Sequence, residues 1–277
     1  MDLVIAVERM SGRTATTVTA TILTVAIAAT GCGDSTTGPP DPTPAAVSPC
    51  TDIPNAEGEY KPPQQVCNAT MVWSAEPGID LYSPEATLLR ATTEADIIAA
   101  GAGLEYSYRG YAAALSDPTR IKHYEDGGVP RTIYGTLLTH IQQIQPTADG
   151  FHAEYCSLNN EAAFTAPGAP ELGTPYNRGG YGRVDFVRAG AAPETPPTAT
   201  PYAPAPDRLH WQAPTYNVFD GWTISFEYGE DQEAAARCDA WALSLYPDAP
   251  AAPGDSTVLD TPPTPQPAYP GWPAPAV

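Results

Sequence analysis

The residues able to do chemistry are few in this chain, and they are scattered. Four histidines, His123, His140, His152 and His210, each lack a histidine partner two or four residues away. Such spacings put two ligands on one face of a strand or helix. No G-x-S-x-G elbow presents a serine nucleophile. The glycine clusters Gly101-x-Gly103 and Gly179-Gly180-Tyr-Gly182 neither follow a strand nor open a helix as a phosphate cradle would. They read as a helix stop and a loop. Three carboxylates, Glu154, Asp185 and Glu227, fall on segments that alternate like strands. They would serve a hydrolase only by converging in a cleft, at least one with a raised pKa. The sequence therefore assigns no catalytic residue, no metal ligand and no cofactor.

The aromatic residues form the larger set. Tyr106, Tyr108, Tyr111, Trp211, Trp222, Phe226, Tyr228 and Trp241 lie on elements expected to face one another. In a curved sheet they would line a concave pocket for a hydrophobic small molecule. The same residues also suit an ordinary core, which aromatics dominate by area.

Residues Ala15–Gly31 are uncharged and apolar to small, and Cys32 follows at once. The run is shorter than the ~20 apolar residues that span a bilayer, and it is rich in threonine. Ala29-Thr30-Gly31-Cys32 resembles a bacterial lipobox. That resemblance implies removal of residues 1–31 as a signal peptide and acylation of Cys32 with diacylglycerol, palmitate included. It places the protein at the cell membrane, lipid-anchored on the extracytoplasmic face, with the bilayer as its first partner. Met10 begins a stretch with a net positive front and is a second candidate start. Four cysteines remain: Cys50, Cys67, Cys156 and Cys238. Four allow three connectivities, and local pairing favours Cys50–Cys67 with Cys156–Cys238. Disulfides fit an oxidising compartment.

The chain has 32 acidic residues against 13 lysines and arginines, a net charge of −19. A nucleic-acid partner is excluded, because phosphate contacts need a basic face. Residues 32–49 are rich in proline and threonine and read as a tether. A single extracytoplasmic domain is expected over 50–246, with long Pro/Gly/Ala-rich loops at 165–180 and 189–207. The stretch 247–277, rich in proline and devoid of basic residues, reads as a disordered tail.

The elements that would position these groups can be read from pattern. Ser83-Pro84-Glu85 opens a helix, followed by Leu88, Ala91, Ala95, Ile98 and Ala102 on one face. The stretch 104–115 is either a second helix or an irregular aromatic segment. Tyr134–Gln145 and Phe151–Cys156 flank a turn ending in Asp149-Gly150 and read as a hairpin. Tyr181–Arg188 reads as a strand. Leu209–Val218 and Trp222–Tyr228 read as a second hairpin, with Trp222, Ile224, Phe226 and Tyr228 on one face. Asp231–Tyr246 reads as a helix. The expected class is α+β, an antiparallel sheet with helices packed on one face.

A leading helix followed by a curved antiparallel meander resembles the NTF2-like and cystatin-like folds. The lipobox, the tether, Ser107-Tyr-Arg-Gly-Tyr111 and Ile144-Gln-Pro-Thr-Ala-Asp-Gly150 resemble actinobacterial surface lipoproteins, a class that implies no particular activity. Three functions stay open on this reading. One is a non-enzymatic binding module for a hydrophobic small molecule or an envelope protein. The others are a scaffold or accessory subunit of an envelope complex and a carboxylate-based hydrolase.

Overall fold

A computed structural model describes residues 60–190, 209–229, 231–251 and 256–272. Cys32, Cys50, the tether and most of the loop 189–207 lie outside the described residues. One seven-stranded sheet carries the fold, in the order β1 (Ala69–Ala75), β2 (Thr132–Pro146), β3 (Gly150–Ala166). The long β3 then serves two neighbours along the edge away from β2. Its first half pairs with β5 (Gly180–Arg188), which pairs in turn with β6 (Trp222–Phe226). Its end pairs with β4 (Ala169–Thr174), which pairs with β7 (Thr257–Leu259).

The expected hairpin is present and longer than its pattern suggested. Gly150 matters in its turn: a Cβ there would run into the backbone carbonyl of Phe186 on β5. Helix α1 (Pro84–Ala102) starts where Ser83 predicts, its Oγ accepting from Ala86 N at 3.2 Å. It stops at Gly103, whose φ of +120° few side chains tolerate. Gly101 lies inside the helix. The ambiguous stretch after it becomes a 3₁₀ turn (Leu104–Tyr106) and a short helix, α2 (Tyr111–Ala114). A third helix, α3 (Pro118–Glu125), is capped by Asp117. The last, α4 (Gln232–Leu245), is capped by Asp231, which accepts from Glu233 N and Ala234 N.

The mixed α/β class holds, but four expectations are corrected. First, the sheet is not wholly antiparallel: β1 pairs with β2 in parallel register. Parallel neighbours need a long crossover, and α1 to α3 supply it. Second, helices cover both faces. α1 packs on the face carrying Ile141, Ala153, Val184, Phe186 and Ile224. α4 covers the other, where Cys238 is bonded to Cys156 (Cα–Cα 5.3 Å). Cys156 and Leu158 alternate away from the α1 face and are fully buried, so they demand a cover of their own. Third, 165–180 is not a loop, since β3 runs into it and β4 lies within it. Leu209–Val218, conversely, is not a strand. Its Pro214 has no N–H for a ladder, and Trp211 N bonds Cys67 O at 3.3 Å instead of a sheet neighbour.

Fourth, the tail is structured over 256–272. Tyr269 N donates to Met71 O at 3.1 Å and its carbonyl accepts from Trp73 N at 2.8 Å, extending the sheet beyond β1. Thr70 Oγ1 donates to Gln266 O at 2.7 Å. Trp272 is 4 % exposed. Proline-rich composition hid this, because an edge segment needs few N–H groups and one large anchor. The Cys156–Cys238 pair matches the expected connectivity. Cys67 is also disulfide-bonded.

Candidate functional site

The three carboxylates singled out from the sequence meet on the sheet face that α4 partly covers. Register explains it. His152 on β3 stands opposite Asp185 on β5, and Glu154 stands opposite Arg183. Glu227, just past β6, donates its N–H to Arg183 O at 3.1 Å and so falls beside Arg183 in the same row. The face that alternates away from Phe151, Ala153, Val184, Phe186, Ile224 and Phe226 is therefore a grid of charged side chains.

His152 Nδ1 lies 2.8 Å from Asp185 Oδ1. Its Nε2 is 3.6 Å from Glu154 Oε1, too long for a hydrogen bond. Arg183 reaches Glu227 at 3.2 Å, Asp231 at 3.5 Å and Glu154 at 3.5 Å. Arg237 on α4 closes on Glu154 at 2.5 Å and on Glu233 at 3.1 Å. Four carboxylates, Glu154, Asp185, Glu227 and Asp231, thus face two guanidiniums. The shortage of positive charge shows at Glu227. Partial burial, then a hydrogen bond and repulsion from Asp185, raise its pKa against the pull of Arg183 and His152. Asp231 moves the other way, chiefly because the backbone N–H groups of Ala234 and Glu233 bind its charged form at the start of α4.

Asp185 and Glu227 stay open to solvent, with side chains 34 % and 40 % exposed. Donor atoms of His152, Asp185 and Glu227 all lie within 4.8 Å of one another. An ion with bonds of about 2.1 Å holds tetrahedral ligands roughly 3.4 Å apart, so a small closure would let the three share one cation. Imidazole with carboxylates suits zinc or manganese. His152 was named from the sequence without its partners, because they lie across strands.

A second carboxylate, Glu94 on α1, is buried deep on the opposite face at 5 % exposure. It accepts from Trp73 Nε1 at 3.1 Å and from Trp272 Nε1, and Tyr108 OH lies 2.7 Å away. Burial raises its pKa, opposed by Arg90 one turn earlier. Hydrogen bonds from Trp272, Tyr108 and Trp73 also oppose the rise. Tyr108 OH accepts from Trp211 Nε1 at 2.9 Å and has two acceptors in reach of its proton, Glu94 and Gln212 O at 2.5 Å. Arg90 is buried too, donating to Leu81 O and Gly271 O and lying 4.5 Å from the Trp272 ring centre.

The eight aromatic residues named from the sequence do not gather in one place. Tyr108 and Trp211 belong to the Glu94 cluster. Tyr111 and Phe226 are buried near Asp96 and Arg120, with Tyr111 OH 3.4 Å from Asp96 and Arg120 over the Phe226 ring. Tyr228 donates to Asp117 at 2.6 Å with its ring 38 % exposed. Trp222 packs edge-on against Phe151 and Phe186. Tyr106 is exposed. Trp241 sits on the α4 face against His140. The cavity beside Trp211, Trp272 and Glu94 holds about 10 Å³, room for about one water.

His123 lies on α3, and His210 Nδ1 is 3.1 Å from Cys67 O. No family model, no curated protein and no solved structure matches the chain.

Proposed function

We propose that this protein is a lipid-anchored extracytoplasmic binding module and that its binding face is the His152–Asp185–Glu227 patch, with a divalent cation as the ligand. One observation carries the reading. Two carboxylates in mutual contact, one with a raised pKa, sit beside an imidazole on an open face. A cation would replace the proton that now relieves their repulsion. Convergence of Glu154, Asp185 and Glu227 also meets the requirement set for a carboxylate hydrolase. The cation reading goes first because the donor atoms of His152, Asp185 and Glu227 lie within 4.8 Å of one another, a mixed imidazole and carboxylate set of the kind that holds a metal ion. The aromatic set lends little to a hydrophobic-ligand reading, since Tyr108, Tyr111, Trp211 and Phe226 are core.

Thermal unfolding of the full chain with Zn²⁺ or Mn²⁺ tests the site. An ion at a hundred times its Kd should add about 2.7 kcal/mol, and Asp185→Asn should abolish the gain. An unchanged midpoint with both ions, or an equal gain in Asp185→Asn, would remove the site. The anchor rests on the lipobox resemblance and on Cys156–Cys238, a bond suited to an oxidising compartment. Among the described residues no helix is long and apolar enough to cross a membrane. Intact-mass measurement from a native-like bacterial host should give a chain starting at Cys32 plus acyl groups. An unlipidated mass would end that part of the proposal.

A further inference from the structure

The α4-covered face carries another polar set, toward β1 and separate from the His152 patch. Ser74 on β1 and His140 on β2 are directly opposed in the parallel register. Ser74 Oγ lies 2.7 Å from His140 Nδ1, and His140 Nε2 lies 3.3 Å from Glu76 Oε1. One proton arrangement satisfies both contacts. Nε2–H donates to Glu76, which leaves the Nδ1 lone pair to accept the Ser74 hydroxyl. The rival acceptor for that hydroxyl, Thr139 O, is farther away at 3.4 Å. Ser74 is exposed, whereas His140 is only 7 % exposed. Trp241 of α4 stacks on the imidazole, ring centres 5.3 Å apart and planes 15° apart, and so fixes its plane. A reachable hydroxyl backed by a buried, oriented base is the arrangement that nucleophilic catalysis requires.

We propose that Ser74, His140 and Glu76 form an acyl-transfer site acting on small carboxylic esters. The roles are those of a serine–histidine–acid triad, with the two imidazole nitrogens exchanging partners relative to the familiar order. Ser74 Oγ attacks the ester carbonyl carbon as its proton passes to His140 Nδ1. The tetrahedral intermediate collapses, the C–O bond to the alcohol breaks, and Nδ1 returns the proton to the departing oxygen. Water then attacks the acyl-serine by the same route, releasing the acid and restoring the hydroxyl. Glu76 is a positioning residue: it holds the tautomer and steadies the imidazolium.

The surroundings fit an ester with an apolar acyl group. The hydroxyl is exposed, and the Trp241 ring stacked on His140 offers an apolar surface beside it.

The test treats the full chain with a fluorophosphonate probe, maps the adduct by peptide mass, and follows hydrolysis of p-nitrophenyl acetate. The expected adduct is on Ser74. His140→Gln should slow both labelling and hydrolysis by about 100-fold or more, the usual weight of a general base. Glu76→Gln should shift the rising limb of the rate profile to lower pH, an effect that a merely structural glutamate would not produce. Circular dichroism on each variant separates loss of chemistry from loss of fold. Folded protein that leaves Ser74 unlabelled, equal labelling in His140→Gln, or an unmoved pH profile in Glu76→Gln would each overturn the proposal. None of these readouts depends on the cation patch.

Discussion

Replacing Glu94 by alanine should destabilise the protein by about 5 kcal/mol, measured as a fall in the urea midpoint. Trp73 and Trp272 each lose the acceptor of a buried N–H, and Tyr108 loses a partner. An orphaned buried polar group costs about 1–3 kcal/mol. Arg90, buried one helical turn away, also loses the carboxyl whose charge favours its charged form. Glu94→Gln keeps an acceptor and should fold, so it serves for the pH experiment. The Glu94 carboxyl titrates higher in the folded protein than in the unfolded chain, where about 4.5 is the reference. The folded state therefore binds more protons above that reference. Stability from this group is complete below about pH 4.5 and declines as pH rises through the raised value. Glu94→Gln lacks that decline, so the advantage of the wild type should shrink toward high pH. Parallel curves for the two proteins would mean that Glu94 is ionised throughout.

Breaking the Cys156–Cys238 bond should cost about 4–5 kcal/mol, because the bond closes a loop of sequence separation 82 in the unfolded chain. The Cys156→Ala/Cys238→Ala double variant is the cleaner measurement, since a reductant would also attack the bond at Cys67. The loss should reach Arg237 and Trp241, which flank Cys238 on α4 and hold Glu154 and His140 in place. A double variant with an unchanged midpoint would show that α4 is held by its polar contacts alone.

Local chemistry made much of the fold readable. Ser83-Pro84-Glu85 fixed the start of α1, and the alternation of Trp222, Ile224 and Phe226 against Thr223, Ser225 and Glu227 set the faces of β6. β1 was not readable, because a parallel edge strand takes its partner from a segment some sixty residues later. α3 went unread because its body is short and polar. The candidate site was half legible. Glu154, Asp185 and Glu227 were each placed on strands, but only the order β3-β5-β6 brings them together with His152. Ser74 and Glu76 gave no sequence cue at all, since a serine in a strand is commonplace until a histidine lies opposite it.

The segment ending at Trp272 closes the edge of β1 and completes the partners of Glu94, across separations of 196 and 178 residues. Chain order thus puts β1 and its cover nearly two hundred residues apart. The β2–β3 hairpin can form from near neighbours in the chain, yet the α1 layer stays open until Gln266 to Trp272 dock. A chain cut short by even a few codons before Trp272 would keep a buried acid and an arginine without their lid, and it would reach quality-control proteases in that open state.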